Sequence, residues 1–170
     1  MNKEDTLKKG QAYSNYGVHD FDSFDCVKLS KGIYLSLLFV LRGYIGWIIS
    51  ITNMRDKTAI LQWLYPDPAL FYLSLASGVI GLYLVLVISL RRPDAANWVK
   101  VSWRYYKSII IVALMVDLLV EVSGYWYWQL SSLTALFSHS AIAIIICYFT
   151  LRSKRVALNV TEFPEKLPEP

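Results

Sequence analysis

Apolar residues in this chain gather into four blocks, at positions 32–52, 69–90, 108–128 and 130–151, with short polar stretches between them. Each block can cross about 30 Å of hydrocarbon at the helical rise of about 1.5 Å per residue. Lipid accounts for such spacing better than a buried core does. The pattern predicts an all-α fold, a four-transmembrane-helix bundle. The second block carries no charge, whereas the third contains two acids and ends in a dense run of aromatics.

Polar stretches fill in the rest. Residues 1–30 read as an N-terminal segment, 31–152 as the transmembrane domain and 153–170 as a C-terminal tail. The first half of the N-terminal segment has the composition of a mobile tail, and no cleavable signal peptide is expected there. His19-Asp20-Phe21-Asp22-Ser23-Phe24-Asp25 alternates acid and aromatic; the preferred reading is an interfacial lead-in, and the alternative is a docking strip for a partner. The outer loop can hold a short helix over 58–64, with Ile60, Leu61, Trp63 and Leu64 in the headgroup region. Tyr65-Pro66-Asp67-Pro68 breaks it, because proline disfavours helix at its own position and one before. Asp67 or Pro68 then starts the second span, with the carboxylate at its positive end. In the inner loop, Pro93-Asp94 opens a short interfacial helix that continues without interruption into the third span. Lys100, Arg104 and Lys107 share one face of it, with Trp98, Val101 and Tyr105 beside them. Those bases point toward anionic lipid headgroups, each contributing about 1 kcal/mol. Trp63, Tyr65, Tyr125, Trp126, Tyr127 and Trp128 read as an outer aromatic belt, and Trp98, Trp103, Tyr105 and Tyr106 as an inner one.

Composition agrees with the pattern. Of 170 residues, 55% are hydrophobic and 18% charged, too little charge for the surface of a water-soluble domain. Lysine and arginine concentrate in the N-terminal segment, the 91–107 loop and the C-terminal tail. The loop after the first span has only Arg55 and Lys57. By the positive-inside rule, both termini and the middle loop are expected to be cytoplasmic. The pI near 9.0 comes from these flanks and suggests anionic lipid of the inner leaflet as the partner, not nucleic acid. Cys26 and Cys147 both fall on the reducing side, so no structural disulfide is expected. No Cys/His spacing matches a zinc site, and no cofactor is implied. No internal repeat indicates an inverted-repeat transporter.

The candidate chemistry lies inside the blocks. Arg42 interrupts the first, where a guanidinium costs roughly 2.5–3.5 kcal/mol by insertion scales. Asp117 and Glu121 lie in the third block and His139 in the fourth. Counting from the inner face at the helical rise puts Arg42 about 15 Å up and Asp117 about 13–14 Å. His139 and Glu121 come out at about 18 and about 19–20 Å. Arg42 should therefore meet Asp117, and His139 should meet Glu121. The two acids are one helical turn apart and can point inward together. Lone charges are expensive in lipid, so pairing as structural glue is the preferred reading. The alternative is that Glu121 and His139 relay protons or bind a cation or polar ligand. A phosphate loop, a Gly-x-Ser-x-Gly elbow and a His-Glu-x-x-His motif are all missing, and the Ser138-His139-Ser140 neighbours point apart on a helix. The balance is against an enzyme, and no catalytic residue is assigned.

Asp20-Phe21-Asp22 with Leu29, Leu41-Arg42-Gly43, Leu64-Tyr65-Pro66-Asp67, and Gly78 through Arg91-Arg92 carry a resemblance. Over roughly residues 18–150 the chain resembles the domain-of-unknown-function family 2919, YfeZ-like small bacterial inner-membrane proteins. The resemblance implies a multi-pass protein of the bacterial inner membrane and no activity, ligand or partner. The expected function is that of a non-enzymatic accessory, assembly or scaffold subunit, working through itself as a homo-oligomer or through a membrane-protein partner. A proton-coupled or ion-binding transporter-like protein is the alternative, and a membrane-embedded enzyme the third reading.

Overall fold

The computed structural model describes residues 13, 16–22, 24, 26–52, 62, 65, 67–128 and 133–165. Seven α-helices carry nearly all of them: α1 (Lys31–Val40), α2 (Arg42–Thr52), α3 (Pro68–Ser89), α4 (Asn97–Arg104), α5 (Tyr106–Trp128), α6 (Leu133–Arg152) and α7 (Lys154–Thr161). Before them lie a 3-10 turn at Val18–Asp20 and a single antiparallel bridge between Phe21 and Val27. No strand occurs among the described residues.

Short polar side chains set the helix starts by satisfying amides that have no partner within the helix. Ser30 accepts from Gly32 N at α1, and Ser153 accepts from Val156 N at α7. Asp67 accepts from Ala69 N at 2.7 Å, with Pro68 in the first turn of α3, where its missing N–H costs nothing.

Three helices, α3, α5 and α6, are each long and apolar enough to cross a membrane. The first block differs from expectation. Sequence pattern predicts one continuous helix over 32–52, whereas α1 and α2 meet at Leu41 with a bend of 70°. Neither glycine nor proline stands at the break. Its compensation comes from the next residue, because Arg42 Nη1 donates to the Phe39 carbonyl at 3.2 Å, an acceptor near the end of α1. Broken backbone at membrane depth is tolerated where such groups are re-satisfied and buried in protein.

The bend is also accommodated by α3. Its inward face presents Ser74, Ser77, Gly78 and Gly81, small residues at helical spacing that let backbones approach. A Cβ at Gly78 would lie 2.9 Å from the Tyr44 ring and 3.2 Å from the Val40 carbonyl oxygen. α3 packs against α5, α2 and α1, while α6 packs against α5 and α1. The apolar core joins Ile33, Leu37 and Val40 of α1 to Leu84 and Val87 of α3, Ile110 and Leu114 of α5 and Ile146 of α6.

The terminal segments meet at one end of this bundle. Buried Asn159 on α7 donates to the Val27 carbonyl at 2.7 Å and accepts from Ser30 N at 2.9 Å. Trp103 Nε1 donates to the Asn159 and Glu162 carbonyls, and Arg91 Nη2 also reaches the Glu162 carbonyl. The N-terminal segment, the α3–α4 connection and α7 therefore share one end, while Tyr65 and Asp67 begin α3 at the other. Residues 154–161, in the stretch read as a tail, form a packed helix.

Two further expectations change. The helix read as running unbroken from the inner loop into the third span is interrupted at Tyr105, which separates Lys107 from Lys100 and Arg104. Trp103 is only 1% exposed and Tyr106 is fully buried, so neither belongs to an aromatic belt. The Trp103 indole finds two carbonyl acceptors inside, which removes its reason to sit at an interface. Tyr65 is likewise buried, because its hydroxyl pairs with Ser74. Trp126 and Tyr127 are 75% and 76% exposed, and Trp98 and Tyr105 are also exposed. Of the helix expected over 58–64 only Gln62 is among the described residues; Trp63, Pro66, residues 129–132 and the Trp128 side chain lie outside them.

Candidate functional site

Four helices converge on Arg42. The guanidinium starts α2 just after the bend, and α5 brings Asp117 and Glu121 to it from one face, four residues apart. Arg42 Nη1 meets Asp117 Oδ2 at 2.7 Å, and Nη2 meets Glu121 Oε1 at 3.0 Å. His139 of α6 places Nδ1 against the same Glu121 oxygen. From α3, the Ser77 hydroxyl donates to Asp117 Oδ1 at 3.1 Å. Asp117 is thus held on both oxygens, by a cation on one side and a hydroxyl on the other.

The surroundings fix these groups further. The Phe39 ring lies 4.6 Å from the Arg42 guanidinium carbon and also makes an edge contact with the His139 ring. Tyr65 and Ser74 share a hydrogen bond of 2.6 Å beneath Gly43, where a Cβ would lie 2.8 Å from Ser74 Oγ. Asp117 is 3% exposed, whereas the His139 and Glu121 side chains retain partial exposure. Arg42 Nε is buried and has no hydrogen-bond partner among the described residues.

The heights counted along the sequence pair Arg42 with Asp117 and Glu121 with His139. The structure brings all four together and adds a cross-link, since one guanidinium grips both carboxylates. Ser77, Ser74 and Tyr65, which hydropathy and charge do not mark, adjoin this cluster. Serines and glycines spaced by four, Ser74/Gly78 and Ser77/Gly81, are the signal in α3 that would have placed that face inward. Asp67 stands apart as a helix cap. Lys100 and Arg104 lie exposed on α4, and Lys107 lies beyond the break on α5.

Charge sets what the cluster can do. One guanidinium faces two carboxylates, and the His139 imidazole meets the second of them. The arrangement can thus tie α2, α3, α5 and α6 together. Ser138 does not extend it into a nucleophilic pair, because its hydroxyl donates to the Ala135 carbonyl on its own helix at 2.8 Å. Among the described residues, no group of three His, Cys, Asp or Glu side chains is placed to hold a metal ion.

At the end where the termini meet, the ionisable groups have a different character. Burial, a hydrogen bond to Glu162 and its nearby charge push the Tyr13 phenol up to about 12. Burial also pushes the Cys26 thiol up, against the opposing pull of Arg91. Cys26 is a buried free thiol and Cys147 a half-buried one.

Neither the curated proteins nor the solved structures contain a match to this chain. Residues 16–162 match the family described as "Protein of unknown function (DUF2919)", a stretch that includes the bend, all four cluster residues and α7. The chain belongs to that family.

Proposed function

We propose that this chain is a four-span protein of the bacterial inner membrane, with both termini and the α3–α4 connection in the cytoplasm, acting as a non-enzymatic assembly or scaffold subunit. The bent pair α1–α2 is then a broken span, not a re-entrant loop. Support comes from the end-to-end arrangement: Asp20, Val27 and Ser30 contact α7 at one end, and Tyr65 and Asp67 lie at the start of α3, at the other. The segments sharing that first end are the ones rich in lysine and arginine, which the positive-inside rule assigns to the cytoplasm. Anionic lipid of the inner leaflet is the expected neighbour of α4.

The observation that carries the scaffold reading is the inward closure of the ion network. Both Nη atoms of Arg42, both Asp117 oxygens, Glu121 Oε1 and His139 Nδ1 meet partners within the chain, as interhelical glue requires. Outward faces remain for lipid or a protein partner, since only 17% of the apolar window of α6 is buried. Chemical cross-linking in native membranes, followed by native mass spectrometry in mild detergent, tests this reading. It predicts a stoichiometric complex with a second copy or a defined membrane protein. A clean monomer in both measurements contradicts it.

A second reading is favoured by the Glu121–His139 contact beside a broken helix, since discontinuous helices recur at ion sites in transporters. In it the chain is a proton-coupled or ion-binding, transporter-like protein. Proton flux into proteoliposomes that disappears in Glu121→Gln, with folding and insertion intact, would replace the scaffold reading with this one.

A further inference from the structure

A groove of about 420 Å³ runs between α4 and α7 at the end of the bundle where the termini meet. Two kinds of surface line it. Lys100 and Arg104, one turn apart on α4, stand at its rim, while Trp103, Val160 and Phe163 supply apolar walls. Among the described residues, no acidic side chain lines it. Lys100 Nζ lies 5.8 Å from the Phe163 ring centroid, so one cation already sits over the apolar wall. Glu162, the nearest acid in sequence, is turned elsewhere, with its carboxylate held by the Tyr13 hydroxyl and the Val27 amide.

We infer that this groove binds one anionic glycerophospholipid of the inner leaflet, its phosphodiester between Lys100 and Arg104 and the start of an acyl chain against Val160 and Phe163. This rests on the membrane topology proposed above, which puts α4 at headgroup depth. Charge complementarity chooses the occupant. Two cations without an acid ask for an anion, and the apolar wall beside them asks for an amphiphile rather than free phosphate. Position explains the geometry. Trp103 anchors α4 to the Asn159 and Glu162 carbonyls, fixing the wall on which the bases stand. The break at Tyr105 leaves Lys107 outside the groove, so the site uses two of the three bases that the sequence aligned on one face.

Native mass spectrometry of the full chain, exchanged into nanodiscs of phosphatidylglycerol and phosphatidylcholine, tests the proposal. One phosphatidylglycerol per chain is expected to survive detergent stripping. Occupancy should fall tenfold or more in Lys100→Gln/Arg104→Gln and change less than twofold in the exposed control Arg92→Gln/Lys154→Gln. Thr161→Trp fills the groove without altering charge and should also displace the lipid. Glycerol phosphate added in excess should not displace it. Equal retention of the two lipids, equal loss in the control pair, full occupancy in Thr161→Trp, or displacement by glycerol phosphate would each overturn the lipid site. Extraction of the wild-type chain by alkaline carbonate would instead sink the membrane topology, a failure separable from the others.

Discussion

The network around Arg42 is built on a guanidinium and two carboxylates, while the one around Asn159 consists almost wholly of neutral hydrogen bonds to backbone. The first sits within the apolar blocks, where a single unpaired carboxylate or guanidinium is expensive and each charge must be answered by another. Its bonds run between side chains of different spans, so it also selects which helices touch. The second sits at the polar end, where water competes for ion pairs. There, among the described residues, the one salt bridge, Arg155 with Asp20 at 3.1 Å, has both side chains more than one-third exposed, while a fully buried amide does the holding. Depth decides the material: charges can hold spans together only where water is scarce and each is paired.

That contrast can be broken most sharply at Arg42. Arg42→Ala leaves Asp117 and Glu121 without their shared cation, and breaking a buried pair from one side costs about 3–5 kcal/mol. The variant should be degraded, or should melt at much lower temperature in detergent. Arg42→Met combined with Asp117→Asn and Glu121→Gln should recover most of the wild-type melting temperature, because no unpaired charge remains. A triple variant as unstable as the single one would argue against ion pairing as the source of the effect.

Asn159→Ala should have the next largest effect, about 1–3 kcal/mol, since it orphans the Val27 carbonyl and the Ser30 amide. Limited proteolysis should cut near Lys28 in this variant well before the bundle melts. Gly78→Ala should cost about 1–3 kcal/mol by overpacking, as the new Cβ meets the Tyr44 ring and the Val40 carbonyl. Thermal melts of Gly78→Ala should be lowered without any change in proteolysis at Lys28, which separates the bundle from its end.

The polar end should respond weakly to its own ion pair. Arg155→Ala is expected to lose no more than about 1 kcal/mol, and its effect should shrink in high salt. Alkaline pH should act there through Tyr13. Its folded value near 12 lies above the ordinary 10.0, so its contribution is fully present below pH 10 and is lost as pH rises toward 12. Ultraviolet difference titration of the wild type against Tyr13→Phe should place the phenol midpoint near 12, and Glu162→Gln should lower it. An ordinary midpoint in the wild type would mean that Tyr13 is not packed on α7.

Much of this architecture is legible in the sequence because each long helix obeys a coarse rule: long, apolar and free of unpaired charge. Length and hydropathy locate α3, α5 and α6, and helical rise alone predicts that Arg42 and Asp117 lie at one depth. The 70° bend at Leu41 is not legible, since no proline or glycine marks it and its compensation is tertiary, through the Phe39 carbonyl and the small face of α3. Trp103 illustrates the other gap. An aromatic near a basic loop reads as an interface anchor, and only the carbonyls of α7, about 60 residues later, make burial the better place for it. Local pattern carries depth and length, but not partners that arrive from elsewhere in the chain.

One contact ties the first block to the third, between the Arg42 guanidinium and the carboxylate of Asp117. Solid-state NMR of the protein in lipid bilayers, with nitrogen-15 in arginine and carbon-13 in aspartate, measures it through their dipolar coupling. A strong coupling from Arg42 to the Asp117 carboxyl carbon is predicted, as the 2.7 Å nitrogen–oxygen contact demands. Absence of that coupling in a folded, inserted sample would contradict the account.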